Sequence, residues 1–302
     1  MPITLHSHSG QFCGHAHGTL VDVVKTAQEK GFRVLGLSEH VPRYRAQDLY
    51  DEERHLDPKA LESTFEAYVT EARRLQKEYS TDNFTVLVGA ETEYIHADSL
   101  TQMAALQKRY DLDYLVGSVH HVNEIPIDYS PALYDQALVS CGNSLEALFA
   151  QYFDHQYELI TALHPQVIGH FDLCRLLVPR DHPLMTELSP ALLAKVNRNI
   201  DAVVSYGGLF EVNSRAYKKG LPEAYPQRDI LEIIKAKGGR FTLSDDSHGP
   251  NDVALHYAEL YRYLKEMDVR TVYYIGTKAT GVSSPNWPIA LDKLFEGSPW
   301  GQ

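Results

Sequence analysis

Histidine and acidic side chains recur along this chain where short apolar runs end. The first instance is His6-Ser7-His8, whose alternate residues project to the same side of an extended chain and can bind one cation together. Later instances are Cys13-Gly14-His15-Ala16-His17, Ser38-Glu39-His40, Glu91-Thr92-Glu93, Val119-His120-His121, Gly169-His170-Phe171-Asp172 and Asp246-Ser247-His248. Solvated surface histidines have no reason to occupy these places. Imidazole nitrogen and carboxylate oxygen without thiolate suit Zn²⁺, Mn²⁺ or Fe²⁺, so the pattern predicts a metal site.

Such residues need a scaffold that gathers the ends of many strands. Short β-prone runs alternate with longer amphipathic segments, as in βα units and parallel sheets. The predicted strands are Ile3–His6, Arg33–Ser38, Phe84–Ala90, Tyr114–Val119, Val167–Gly169, Leu209–Asn213 and Arg240–Ser244. The predicted helices lie near Leu20–Lys30, Pro58–Tyr79, Leu100–Tyr110, Ser144–Leu163, Pro190–Tyr206, Pro226–Lys237 and Asp252–Met267. Seven such pairs predict an α/β barrel related to the (β/α)₈ fold, with its chemistry at the carboxyl ends of the strands.

Three further segments add to this prediction. Val272–Ile275 is an eighth strand candidate, but the following SSPNWP segment leads into no long periodic helix. The loops Val41–Leu56 and Val122–Asn143 are long for βα connections, and we expect them to cover the face that carries the chemistry.

Composition and charge restrict the function classes. The 302 residues contain no low-complexity linker, repeat or long run of like charges, which favours one domain over residues 1–302. A net charge of −12 argues against a nucleic-acid partner and favours a small-molecule substrate. No apolar stretch approaches the length of a membrane helix, and the MPITLHSHSG start lacks the features of a signal peptide, so we expect a cytoplasmic protein. The three cysteines are widely spaced and predict reduced thiols, and the sequence predicts no particular oligomeric state.

Seven motifs, spread in order over residues 6 to 248, make the chain recognisable. HSH, CGHA, SEH, GAETEY, GSVHH, IGHFDL and DSH resemble the motif set of the polymerase and histidinol phosphatase (PHP) family. CGHA, IGHFDLCR and EVNSRAYKKG are similar to the histidinol phosphatase branch of that family. The resemblance covers most of the chain. It implies a distorted (β/α)₇ TIM-like barrel, the PHP fold, that binds three divalent transition-metal ions, which would be Zn, Mn or Fe.

The resemblance also implies a ligand set for each ion. The first ion would be held by His6, His8, Glu91 and Asp246, the second by Glu91, His120 and His170, and the third by His15, His40 and His248. Glu91 would bridge the first two ions. Strand alternation turns His120 and His121 to opposite faces, and the GSVH pattern selects His120. The DxH spacing favours Asp246 over Asp245.

A metal cluster of this kind is suited to phosphomonoester hydrolysis. It can bind phosphate oxygens and lower the pKa of water, and Glu91, Asp246 and His248 are therefore the candidate catalytic residues. Asp246 or a histidine near the metals could protonate the departing oxygen, and the residues leave that choice open. The planar fork of arginine pairs with phosphate, which makes Arg175 and Arg215 candidate substrate-binding residues. Arg43 and His17 are further candidates.

The resemblance implies hydrolysis of L-histidinol phosphate to L-histidinol and phosphate, a step in histidine biosynthesis. One alternative is another PHP phosphoesterase that acts on nucleotides or other small phosphomonoesters. A second is an amidohydrolase, which also begins with HxH but uses a lysine where Glu91 and His120 stand here. A third is a non-catalytic metal-binding scaffold, for which an open cluster of nine ligands would be a costly way to stabilise a fold.

Overall fold

The computed structural model describes residues 1–179, 182–183, 185–276 and 286–301. Its strands are β1 (Ile3–Thr4), β2 (Ser7–His8), β3 (Val34–Leu37), β4 (Thr85–Glu91), β5 (Tyr114–Gly117), β6 (His121–Val122), β7 (Ile125–Pro126), β8 (Val167–Ile168), β9 (Leu209–Asn213), β10 (Arg240–Ser244), β11 (Ser247–His248), β12 (Thr271–Ile275) and β13 (Asn286–Ala290). Seven of them form one parallel sheet in the order β1-β3-β4-β5-β8-β9-β10. The predicted seven-stranded barrel is confirmed.

The barrel closes through the ends of its first and last strands. The chain bends after β1 and continues as β2, and it bends likewise between β10 and β11. β2 and β11 then pair in parallel, with Ser7 opposite Ser247 and His8 opposite His248. The predicted strand Ile3–His6 is therefore shorter in the structure, where β1 ends at Thr4 and β2 follows from Ser7. This closure places the HSH and DSH motifs side by side at the carboxyl end of the barrel.

Helices surround the sheet and connect its strands. They are α1 (Leu20–Glu29), α2 (Pro58–Tyr79), α3 (Ala97–Arg109), α4 (Pro131–Ser140), α5 (Leu145–Leu163), α6 (Pro190–Tyr206), α7 (Arg215–Lys218), α8 (Arg228–Ala236), α9 (Tyr257–Glu266) and α10 (Leu291–Phe295). Three begin with a capping side chain followed by proline. Asp57 accepts from the amide of Ala60 at α2, Ser130 from that of Leu133 at α4, and Ser189 from that of Leu192 at α6. No helix within the described ranges is long and apolar enough to cross a membrane.

Buried side chains fix how closely the strands approach. Tyr114 of β5 is fully buried, and its hydroxyl donates to the carbonyl of Leu5 at 2.9 Å. A Cβ atom added at Gly36 or Gly89 would clash with the Tyr114 ring, so glycine at these two positions makes room for it. Interiors at this packing density tolerate little added volume. The tyrosine and the two glycines thus hold the strands that carry the site in one arrangement.

The structure corrects the sequence prediction in two regions. The eighth strand candidate does form β12, but β12 pairs antiparallel with β13 outside the barrel sheet, with Val272 opposite Ile289. Residues 277–285, between these two strands, lie outside the described ranges, and so does the first half of the SSPNWP segment. The predicted loop Val122–Asn143 contains the β6–β7 hairpin and helix α4, and the loop Val41–Leu56 contains two short 3₁₀ turns.

Candidate metal centre

Glu91, the last residue of β4, is the centre of a cluster of imidazoles. Its side chain is almost completely buried. Its Oε1 atom lies 3.2 Å from His6 Nε2, 3.3 Å from His120 Nε2 and 3.1 Å from His170 Nε2. Its Oε2 atom lies 3.4 Å from His8 Nε2 and 2.9 Å from His40 Nδ1. One carboxylate therefore contacts five histidines contributed by different strands of the barrel.

His6 and His8 are oriented toward the cluster by carboxylates on their outer sides. His6 Nδ1 lies 3.0 Å from Glu211 Oε2, and His8 Nδ1 lies 3.4 Å from Glu39 Oε2. The Nε2 atoms then face inward and lie 3.6 Å and 3.5 Å from Asp246 Oδ1. His6, His8 and Asp246 form one of the groups whose ligand atoms could hold a metal ion together.

A second group consists of Glu91, His120 and His170. The Nε2 atoms of His120 and His170 lie 3.3 Å apart. His120 Nδ1 contacts Glu93 Oε1 at 3.0 Å, which fixes the ring from its outer side. The adjacent His121 contacts the same Glu93 Oε1 atom at 3.1 Å, and it makes no contact with Glu91 in the described ranges. Of the two adjacent histidines, His120 is the one that contacts Glu91.

The third predicted ligand set consists of His15, His40 and His248. These residues lie close together, but their ligand atoms fall into two groups that also include other residues. The ligand atoms group as His8, His40 and His248 in one set and as Cys13, His15 and His40 in another. The His15 ring centroid lies 5.4 Å from that of His40 and 5.1 Å from that of His248. Its Nε2 atom lies 3.3 Å from Cys13 Sγ. His15 therefore stands at the outer edge of the cluster.

The electrostatics of the cluster fit a site for cations. Burial alone would raise the pKa of Glu91, but the imidazoles of His6, His120 and His40 hold it well below its usual range. Burial likewise opposes charge on His6, yet the carboxylates of Glu91, Asp246 and Glu211 raise its pKa well above the ordinary value. Around His6 the carboxylates therefore outweigh burial and favour positive charge, whereas burial and the neighbouring His8 hold the pKa of His248 well below its ordinary value.

Several buried atoms of the cluster lie close to a carboxylate or imidazole but form no hydrogen bond of suitable geometry in the described ranges. They are His6 Nε2, both ring nitrogens of His8 and His40, and Asp246 Oδ1. Leaving such atoms unsatisfied costs about 1–3 kcal/mol each. Bound divalent cations would satisfy inward-facing nitrogens and oxygens together, and the donor set of imidazole and carboxylate is one that Zn²⁺, Mn²⁺ and Fe²⁺ accept. The residues present therefore fit the metal ions that the sequence predicts.

A cavity of about 290 Å³ opens onto the cluster. Glu91, His120, His170, Asp246 and His248 form its floor. Its walls include Tyr50, Asp128, Tyr129, Arg215, Lys219 and Tyr225. The cavity has the size and the concentration of polar groups expected for a small polar ligand.

Arg215 is the predicted arginine that lines this cavity. Its Nη1 atom donates to the carbonyl of Asp246 and to Asp252 Oδ2, both at 3.0 Å. These two contacts fix the guanidinium beside the metal-ligand candidate Asp246. The guanidinium makes no other hydrogen bond in the described ranges, so its other N–H groups can donate to a ligand.

The other three predicted substrate-binding residues are absent from the cavity wall in the described structure. Arg175 lies behind Tyr225: its Nε donates to Asp172 Oδ2 at 2.6 Å, and its guanidinium stacks on the Tyr225 ring. Arg43 is paired with Glu53 and stacks on Tyr50. His17 is exposed. A direct substrate contact by any of the three stays a prediction, and the geometry instead gives both arginines the role of supporting a wall tyrosine.

Sequence reasoning missed two kinds of residue. Glu211 supports both His6 and His170, since its Oε1 atom accepts from the backbone amide of His170 at 2.7 Å. A buried acid between Phe210 and Val212 in a predicted strand was a usable signal for it. The wall residues Asp128 and Tyr225 come from connections between elements, and no periodicity marked them.

The sequence was compared with known families and proteins. Residues 4–215 match the family model described as the PHP domain. The chain belongs to the PHP domain family. The predicted family is thus confirmed, and the seven-stranded parallel barrel agrees with it.

Related sequences and structures extend this result over nearly the whole chain. A "Probable histidinol-phosphatase" of Schizosaccharomyces pombe is 50% identical over 295 residues, which are 98% of this chain and 96% of that protein. The histidinol-phosphatase of Saccharomyces cerevisiae is 33% identical, covering 89% of each chain. A HisK structure from Listeria monocytogenes has a TM-score of 0.72 at 22% identity and covers 85% of this chain and 99% of its own. A Lactococcus lactis histidinol phosphate phosphatase, solved with zinc, L-histidinol and phosphate, has a TM-score of 0.64 at 18% identity, covering 90% and 95%. These two structural matches support the fold.

Proposed function

We propose that this chain is a metal-dependent histidinol phosphatase that hydrolyses L-histidinol phosphate to L-histidinol and phosphate in histidine biosynthesis. The two fungal relatives, at 50% and 33% identity, carry that activity in their names and span most of the chain. The cavity walls also suit such a substrate, because they hold cationic side chains, Arg215 and Lys219, together with the carboxylate of Asp128. We further propose a small-molecule substrate, in keeping with the net charge of −12, and a cytoplasmic site of action.

The observation that carries the proposal is the position of the Glu91 carboxylate between five imidazoles at 2.9–3.4 Å. We propose that one ion would be held by His6, His8, Asp246 and Glu91, and a second by Glu91, His120 and His170. A third ion would be held by His40 and His248, with His15 or the neighbouring His8 completing the set. Zinc is the ion named for the Lactococcus lactis relative, and Mn²⁺ and Fe²⁺ accept the same donors.

Divalent ions bound at this site would neutralise phosphoryl charge and lower the pKa of a water molecule toward neutrality. The protein itself contributes position and charge. Arg215 is held by Asp252 and the Asp246 carbonyl so that its free N–H groups can pair with phosphate oxygens. The Asp246 carboxylate faces His6 and His8, so we propose that it binds cations and is not the proton donor to the departing oxygen.

The test compares metal-loaded and metal-stripped protein. Phosphate release from L-histidinol phosphate should disappear after dialysis against a strong chelator and return when Zn²⁺ or Mn²⁺ is supplied. Elemental analysis of the active protein should give about three ions per chain. Full activity of a preparation without stoichiometric metal would refute the metal-dependent mechanism.

A further inference from the structure

Asp128 is the one carboxylate outside the metal cluster that lines the cavity in the described structure. Within the described ranges its side chain has no ion pair and no hydrogen bond, and it is partly buried. Other acidic side chains near the cavity are engaged: Glu52 with Tyr129 and His15, and Asp252 with Arg215 and Lys218. A carboxylate that faces a cavity without a partner is available to a ligand, because burying it unpaired is costly.

The chain holds Asp128 in a defined place. The amide of the preceding residue, Ile127, donates to the carbonyl of His120 at 2.9 Å, and the Ile127 side chain is fully buried. Ser130 then caps helix α4, and the hydroxyl of Tyr134 ties that helix to the carbonyl of Cys174 at 2.9 Å. Asp128 therefore stands between the strand end that carries His120 and a capped, anchored helix. Such support lets a side chain act as a fixed binding group.

Tyr225 provides a second, independent indication of a ligand at this wall. Its side chain is 2% exposed, yet its hydroxyl has no hydrogen-bond partner in the described ranges. The Arg175 guanidinium stacks on its ring at 4.9 Å and donates to the carbonyl of Ala224 at 2.8 Å, which fixes the segment. Burial is the main cause that raises the pKa of Tyr225, and the charge of Asp128 contributes to the same shift. The Tyr225 hydroxyl and the Asp128 carboxylate thus line the same cavity without a partner in the described ranges.

Charges are arranged unequally in the cavity. Arg215 and the metal-ligand candidates are suited to an anion such as phosphate. Asp128 is suited to a cation. A ligand that carries a phosphate at one end and an ammonium group at the other would match both.

From this arrangement we propose that Asp128 binds the ammonium group of the substrate and that the Tyr225 hydroxyl oxygen accepts a second hydrogen bond from the same ammonium group. This inference rests on the proposed function, because it assumes that the cavity turns over a phosphomonoester. It assigns specificity to one side chain outside the metal cluster. That side chain distinguishes phosphomonoesters that carry an ammonium group, called cationic esters below, from those that do not, called neutral esters. Phosphate binding and the metal ions are the same for both kinds of ester, so discrimination arises at Asp128.

The experiment compares two pairs of substrates that differ in the ammonium group. The first pair is L-histidinol phosphate and its desamino analogue, imidazolylpropyl phosphate. The second pair is phosphoethanolamine and ethyl phosphate. The protein variants are Asp128→Asn, which keeps the shape but removes the charge, and Asp128→Glu, which keeps the charge. Asp135→Asn is the matched control, because Asp135 is exposed on helix α4 and does not line the cavity.

For the cationic ester of each pair, Asp128→Asn should lower kcat/KM by roughly 10- to 100-fold, the range for a hydrogen-bonded charge. The neutral ester should change less than about twofold, a shift that surface changes typically produce. Asp128→Glu should recover part of the preference, and Asp135→Asn should match the wild type. Metal content and circular dichroism should be the same in all variants.

Two results would overturn the inference. One is an equal loss on cationic and neutral esters in Asp128→Asn, which indicates a structural role. The other is a preference for cationic esters that does not depend on Asp128: it either survives in Asp128→Asn or is already absent from the wild type. Failure of the proposed function looks different: the wild type would then favour some other phosphomonoester over L-histidinol phosphate. In that case the phosphoethanolamine pair still decides the role of Asp128.

Discussion

The Nε2 atoms of His120 and His170 lie 3.3 Å apart and both face the Oε1 atom of Glu91. Two imidazole nitrogens at this distance can share at most one proton, and the carboxylate oxygen beside them competes for it. A divalent cation between the three atoms would accept a lone pair from each. The relationship is therefore better explained by a metal site than by a hydrogen-bond network.

Glu91→Gln should abolish the metal bridge. The substitution keeps the size of the side chain but removes the charge that faces five imidazoles, so at least one ion should be lost and activity should fall by about 100-fold or more. Metal content by elemental analysis and phosphate release would measure both effects. Glu146→Gln on the exposed start of α5 is the control for charge removal. Near-normal activity in Glu91→Gln together with an inactive Glu93→Gln would mean that Glu93, and not Glu91, is the bridging residue.

Glu211→Gln tests the support of the metal ligands. Glu211 contacts His6 Nδ1 and accepts from the amide of His170, and outer partners of this kind typically contribute about 10- to 100-fold to metal affinity. We expect metal affinity to fall within this range while the ligands themselves stay in place. Competition with a chromogenic chelator would measure it. Unchanged affinity would mean that the ring of His6 is held by packing alone.

Arg215→Ala should impair phosphate binding without loss of metal. A charge-assisted contact to phosphate contributes about 1.5–3 kcal/mol, so kcat/KM should fall by roughly 10- to 150-fold. Arg262→Ala, at an exposed position on α9, is the control for losing an arginine. Steady-state kinetics and elemental analysis of both variants give the result. Wild-type kinetics in Arg215→Ala would remove this residue from the site.

The buried pair of Asp172 and Arg175 should matter for stability. Arg175 Nε donates to Asp172 Oδ2 at 2.6 Å, and both side chains are buried. Removing one partner of such a pair leaves an uncompensated charge, so Asp172→Ala should lower the free energy of unfolding by about 3–5 kcal/mol. Urea denaturation of the metal-loaded protein would measure this. If Arg175 instead turns into the cavity to bind phosphate, Arg175→Ala would reduce activity with little change in stability.

The sequence predicted the scaffold because the strand pattern, the helix pattern and the helix-capping residues indicated the same elements. Strands β9 and β10 and helices α2 and α6 have the predicted bounds, and the two helices begin with a capping residue followed by proline. Ser130-Pro131 carries the same signal at α4, within a segment that the sequence prediction treated as a loop. The capping signal was present, but a helix of ten residues within a long connection was too short to be recognised from its pattern.

The candidate site was predictable where side chains alternate along strands. Alternation groups His6 with His8 and admits only one of His120 and His121 to the site. In the structure His6 and His8 lie in one group with Asp246, and His120 contacts Glu91 while both His120 and His121 contact Glu93. The wall of the cavity was less accessible to prediction. Arg175 follows His170 by five residues, but its direction depends on Tyr225, which arrives 50 residues later in the chain. Contacts between distant segments decide which side chains face a ligand, and spacing does not encode them.

The most direct test of the central claim is a comparison of substrates with metal-loaded wild-type protein. The kcat/KM for L-histidinol phosphate should exceed that for an aryl phosphate, a mononucleotide and a sugar phosphate by about 100-fold or more, since a tenfold preference equals only about 1.4 kcal/mol. All of these esters present the same phosphate to the metal cluster and Arg215, so a preference of this size requires recognition of the rest of the molecule. A higher kcat/KM for the mononucleotide, or no hydrolysis of L-histidinol phosphate with any divalent ion, would contradict the account.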